Sequence, residues 1–172
     1  MHSIAWWPTL IVVAVATLAD FRSQRIPNWL VFPFLLAGIV VSLTPHGIGI
    51  RQSSLGILVA ICVLGIFWWM GGMGMGDVKL CMAIGAWIGP AQLATALVMT
   101  GIVGGLMAIC WAAAGGFLKD SLAGTGRLVF GFGKRGLGPH PELVLDNPQT
   151  RKMPYAPAIA IGTMLSFFAA RV

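Results

Sequence analysis

The chain alternates long apolar runs with short polar stretches. Residues 1–19 carry no charged side chain, and the polar stretch Asp20-Phe21-Arg22-Ser23-Gln24-Arg25 follows them. Residues 26–50 and 52–76 are again free of charge, and 39 uncharged residues separate Lys79 from Lys119. A membrane helix needs about 20 residues, so this last run is too long for one helix and fits two joined tightly. Gly89-Pro90 supplies the turn between them. Spans are predicted over 1–19, 28–44, 53–71, 77–89, 92–116 and 154–170, about six helices in an all-α polytopic membrane bundle. Pro27 suits the first turn of the second helix, where a missing N–H is harmless. Thr44-Pro45-His46-Gly47 closes that helix, and Gly71-Gly72 closes the third.

Composition supports a membrane setting. Hydrophobic residues make up 58% of the chain and charged residues 9%, against about 25% charged in an ordinary soluble domain. The whole of 1–172 reads as one membrane-embedded domain with a glycine-rich basic loop at about 117–152. No basic residue precedes the first apolar run, so that run reads as a retained span and not as a cleaved signal. The three cysteines, Cys62, Cys81 and Cys110, form no Cys-x-x-Cys pair and read as buried free thiols in helices. No histidine or cysteine spacing signals a metal, and no cofactor is expected.

Charge then sets orientation. The connections after the first, third and fifth spans hold nine of the 11 basic residues: Arg22, Arg25, Lys79, Lys119, Arg127, Lys134, Arg135, Arg151 and Lys152. The opposite side holds Arg51 and Arg171. This asymmetry places those three connections in the cytoplasm and both termini outside. The net charge of +6 is thereby a topology signal, and nucleic acid is not expected as a partner. Gly131-Phe132-Gly133-Lys134-Arg135-Gly136 formally matches a dinucleotide fingerprint but lacks the strand and helix that would give it meaning. Gly101, Gly104, Gly105, Ala108 and Ala112 give the fifth span a small-residue face suited to close helix packing.

Five residues are acidic, and two of them, Asp20 and Asp77, stand at the ends of apolar runs. A carboxylate beside hydrocarbon costs about 2.5 kcal/mol or more, which makes each a candidate for function. Two crossings separate them, so both emerge on the cytoplasmic face. Two carboxylates a few ångströms apart share one proton, and such a pair performs general acid–base chemistry on water and a peptide carbonyl. Gly74 and Gly76 stand just before Asp77 and leave room for another backbone. Taken singly, Asp20 also fits an ordinary interfacial helix end, and Asp77 an N-terminal helix residue favoured by the macrodipole. Lys79 reads as a side chain reaching back to the interface.

Asp20-Phe21-Arg22-Ser23-Gln24-Arg25-Ile26-Pro27-Asn28 and Gly74-Met75-Gly76-Asp77-Val78-Lys79 resemble the two signature motifs of the type IV prepilin peptidases, membrane aspartic proteases of the Gly-x-Gly-Asp class. Met153-Pro154-Tyr155-Ala156-Pro157-Ala158-Ile159-Ala160 resembles that family's last helix. The resemblance implies Asp20 and Asp77 as the catalytic pair and Gly74 and Gly76 as motif glycines. Pro27, Asn28 and Lys79 match motif positions near the substrate. It implies prepilin and pseudopilin substrates, with a basic leader in the cytoplasm and an apolar helix in the bilayer. Cleavage is then expected at the cytoplasmic face of the inner membrane. Long family members carry paired Cys-x-x-Cys motifs and also N-methylate the new terminus. This chain lacks those cysteines and resembles the short CpaA/TadV-like branch of Flp-type pili, so proteolysis without methylation is expected. The rival readings are an ion or proton transporter using the same aspartates, which would want them near the midplane, and an assembly factor that only binds pilin helices.

Overall fold

The computed structural model describes residues 6–23, 26–70, 73–116 and 154–169. Arg25, Gly71, Gly72, the loop 117–152 with its fingerprint-like glycines, Met153 and Arg171 lie outside the described residues. Among the described residues the fold is all-helical: α1 (Trp6–Ser23), α2 (Asn28–Ser42), α3 (Ile50–Trp69), α4 (Met75–Ala114) and α5 (Ala156–Ala169).

Element α4 is two helices. Gly89 breaks its helical dihedrals with φ 78° and ψ 175°, a conformation open to glycine and costly for other residues. Pro90 follows and can donate no hydrogen bond back across the break. The chain reverses here. In a straight helix, residues eight apart would lie about 12 Å from one another. Instead, the Leu93 side chain reaches to 2.9 Å of where a Cβ on Gly85 would stand. The limbs 75–88 and 90–114 therefore form the hairpin expected from Gly89-Pro90.

Among the described residues there are thus six helical segments, with α4 packed against each of the other four elements. Helix α3 meets α4 backbone to backbone at Gly56 and Gly85, and α4 meets α5 at Thr100 and Gly162. Against α2, the Trp87 ring stacks on Phe34 at 5.1 Å and covers Gly38. Its indole N–H donates to the Phe34 carbonyl at 2.9 Å. At one end of α1, Trp6 packs on Phe167 with ring centroids 4.2 Å apart. Its other end meets the start of α5.

The exterior is apolar. Trp7, Leu18, Trp29, Leu36, Val98 and Ile102 are all exposed, a distribution that suits lipid and not water. Among the described residues α3 and the broken element α4 are long and apolar enough to cross a membrane, and α2 and α5 are shorter apolar helices. The chain has the make-up of a membrane protein.

Several sequence expectations need correction. Helix α1 continues through Ser23, so Asp20, Phe21 and Arg22 are helical and not part of a connection. Arg22 in the last turn complements the carbonyl end of the helix, and the Ser23 hydroxyl donates back to the Ala19 carbonyl. Helix α3 begins at Ile50, earlier than expected. The small-residue face is only partly inward: Gly104 and Ala112 are buried, whereas Gly101, Gly105 and Ala108 are exposed. All three cysteines are free, but Cys81 alone is buried, and Cys62 and Cys110 face outward.

Candidate active site

Four helix ends meet at one end of the bundle: the last turn of α1 and the first turns of α2, α4 and α5. The first three bring residues that the sequence had singled out. Asp20 lies in the last turns of α1 and is 6% exposed. Asp77 lies in the first turn of α4 and is half-buried. The two carboxylates are close enough for the charge of one to act on the other. Residues 57 positions apart in sequence are thus neighbours because α1 and the first limb of α4 run antiparallel.

Asp20 is fixed from a third element. The backbone N–H of Ala156, the first residue of α5, donates to Asp20 Oδ2 at 3.0 Å in a buried setting. A helix's first N–H groups have no partner within the helix, so the carboxylate satisfies one of them. Asp77 is held by its own helix start. Its backbone N–H donates to the Gly74 carbonyl at 3.2 Å, and its Oδ2 would lie 3.3 Å from a Cβ placed on Gly74. Gly76 faces Ile26, whose Cβ would stand 3.2 Å from a Cβ at position 76. That absent methyl lets the segment between α1 and α2 lie against the start of α4.

The remaining motif residues stitch α2 to α4. Pro27 caps α2 with an extended backbone, φ −71° and ψ 134°. Lys79 Nζ donates to Asn28 Oδ1 at 3.3 Å and lies 5.4 Å from the Phe32 ring centroid. Lys79 is therefore directed along α2 and not at the carboxylates.

Tyr155 and Ala156 were missed by residue-level reading. Tyr155 is the chain's one tyrosine. It precedes α5, packs on the bare backbone of Gly104, and is close enough to Asp77 to feel its charge. Its signal in the sequence was the Pro154-x-x-Pro157 frame of a helix start. The contact between the Ala156 N–H and Asp20 has no sequence signal, because every residue but proline offers that group.

Among the described residues no group of three or more His, Cys, Asp or Glu could hold a metal ion. The family model for the type IV leader peptidase family matches residues 7–109, which spans both aspartates and the Gly74–Lys79 motif. This chain belongs to the type IV leader peptidase family.

Curated relatives agree with that membership. A prepilin leader peptidase/N-methyltransferase of Aeromonas hydrophila is 31% identical over 108 residues, 59% of this chain and 37% of the relative. Proteins of the same name from Xanthomonas campestris and Escherichia coli K12 are each 30% identical over 99 residues, 54% of this chain. Those alignments cover 34% and 44% of the two relatives, so this leader-peptidase-family chain matches less than half of each. No solved structure matches the chain at the same stringency.

Proposed function

We propose that this chain is a membrane aspartic endopeptidase that removes the leader from type IV, Flp-like prepilins and pseudopilins at the cytoplasmic face of the inner membrane. The observation that carries the reading is the meeting of Asp20 and Asp77 at one end of an apolar bundle. The printed names of the relatives support the substrate class.

In this reading one carboxylate takes a proton from a water held between the pair, and the other donates its proton to the scissile carbonyl oxygen. The gem-diol collapses, the amine leaves with a proton, and the dyad returns to its singly protonated state. No cofactor and no metal takes part. Gly74 and Gly76 leave backbone room beside Asp77 for an extended substrate strand. The bundle crosses the bilayer about six times with both termini outside, and the basic loop 117–152 is cytoplasmic. The dyad then sits where a basic leader meets an apolar pilin helix. Lacking any Cys-x-x-Cys pair, the chain cleaves without N-methylation.

The test is reconstitution of the whole chain in liposomes with candidate prepilins. Peptide release with no proton or cation flux is expected. Aspartate-dependent ion flux without cleavage would replace the peptidase with the transporter reading.

A further inference from the structure

An apolar cavity of about 210 Å³ lies one helical turn beyond Asp77 and opens at the flank of the bundle, where Val63, Phe67 and Gly101 are exposed. Val63 and Phe67 of α3, Cys81, Leu97 and Thr100 from both limbs of α4, and Tyr155 ahead of α5 wall it. Cys81 lies four residues after Asp77 on the same limb, so cavity and carboxylate share one helix face. Tyr155 precedes Ala156, whose N–H holds Asp20. The cavity thus borders the elements that carry both carboxylates, although neither carboxylate lines it.

Its size and chemistry narrow what fits. An apolar cavity of about 150 Å³ in a protein core takes a benzene ring and excludes water. This one is larger and is walled almost wholly by carbon and sulfur. On the second limb Gly101 also lines it, and a Cβ at that position would meet nothing within 4 Å. Glycine is a poor residue for a helix interior, and at this exposed position no neighbour requires the missing side chain, so the mouth of the cavity stays open.

Resting on the peptidase reading above, we infer that this cavity is a specificity pocket for one large apolar side chain of the substrate, from the membrane side of the scissile bond. A chain that passes the carboxylates and continues toward the bilayer interior delivers its next inward-facing side chain to this wall. An apolar pocket discriminates by size: one methylene changes kcat/KM by about 10–200-fold. Substrates with alanine at that position bind without filling the cavity and are cleaved more slowly.

The probe is the prepilin that the wild-type chain cleaves, with each of the first residues after the scissile bond changed in turn to Ala, Leu and Phe. At one position, wild type is expected to prefer Leu or Phe over Ala by about tenfold or more in kcat/KM. Gly101→Leu fills the cavity from α4 and Val63→Trp fills it from α3. Both are expected to erase or reverse that preference while still cleaving the Ala substrate. An unchanged preference in both variants overturns the pocket while leaving the peptidase standing. A uniform fall for every substrate also overturns it and assigns the cavity to a lipid chain. Wild type cleaving no candidate prepilin strikes the peptidase reading itself, and the pocket falls with it.

Discussion

Gly56 and Gly85 cross so closely that a Cβ on Gly56 would strike the carbonyl oxygen of Gly85. This contact seats α3 against the first limb of α4, the limb that carries Asp77. The obstacle is backbone and not the tip of a movable side chain, so the helices must separate to admit any substituent. Overpacking of this kind costs about 1–3 kcal/mol, and more where nothing yields. Gly56→Leu is expected to lower accumulation in the membrane and thermal stability in detergent. Gly105→Leu, at an exposed position where a Cβ meets nothing within 4 Å, is expected to leave both near wild type.

Trp87 offers a graded test of the α2–α4 interface. Trp87→Phe keeps a ring to stack on Phe34 but removes the N–H that its carbonyl accepts. The expected loss is about 1 kcal/mol. Trp87→Ala removes the ring as well and is expected to cost about 3–5 kcal/mol. Thermal unfolding of the two variants in one detergent checks the ratio.

Gly74 has an ordinary backbone, φ −72° and ψ 142°, that alanine adopts without strain. An added Cβ would sit 3.3 Å from Asp77 Oδ2, a crowded contact that shifts the carboxylate by a few tenths of an ångström. Gly74→Ala is expected to fold normally and lose about tenfold in kcat, since small misplacements of reacting groups are costly. Unchanged kcat in a stably inserted variant would separate Gly74 from Asp77.

Ala156 acts on Asp20 through its N–H alone. It is the first residue of α5, a position where proline is tolerated because that N–H has no partner in the helix. Ala156→Pro deletes the donor at 3.0 Å from Asp20 Oδ2. A fall of about tenfold in kcat with KM within about twofold is expected. Ala156→Ser, which keeps the N–H, is expected to retain wild-type kcat. Equal losses in both variants would mark the contact as packing only.

The sequence carried the parts of this arrangement that depend on local chemistry. Gly89-Pro90 announced its own turn, because a positive φ and a missing donor leave the chain few other conformations. Asp20 and Asp77 stood out because a carboxylate next to hydrocarbon demands a reason. What stayed hidden depends on partners distant in sequence. The start of α5 reaches Asp20 across 136 positions through a backbone group that no side chain advertises. Helix α1 overran its expected end because Asp20 and Arg22 are polar but do not break helices. Gly101, Gly104 and Gly105 look alike in the sequence, yet only Gly104 lies under Tyr155. Which glycine is an interface and which is open space is decided by the rotation of the second limb about its axis, and composition does not encode that angle.

The central claim is that Asp20 and Asp77 act together on one peptide bond. It is tested most directly by co-expressing candidate prepilins with wild type, Asp20→Asn and Asp77→Asn, read by mobility shift and by the mass of the new N-terminus. Asparagine preserves size and polarity but cannot share the proton. Wild type is expected to release an unmethylated pilin. Each variant, inserted at normal levels, is expected to lose cleavage by at least about 10²–10⁴-fold. Cleavage by either variant at a wild-type rate would contradict the claim.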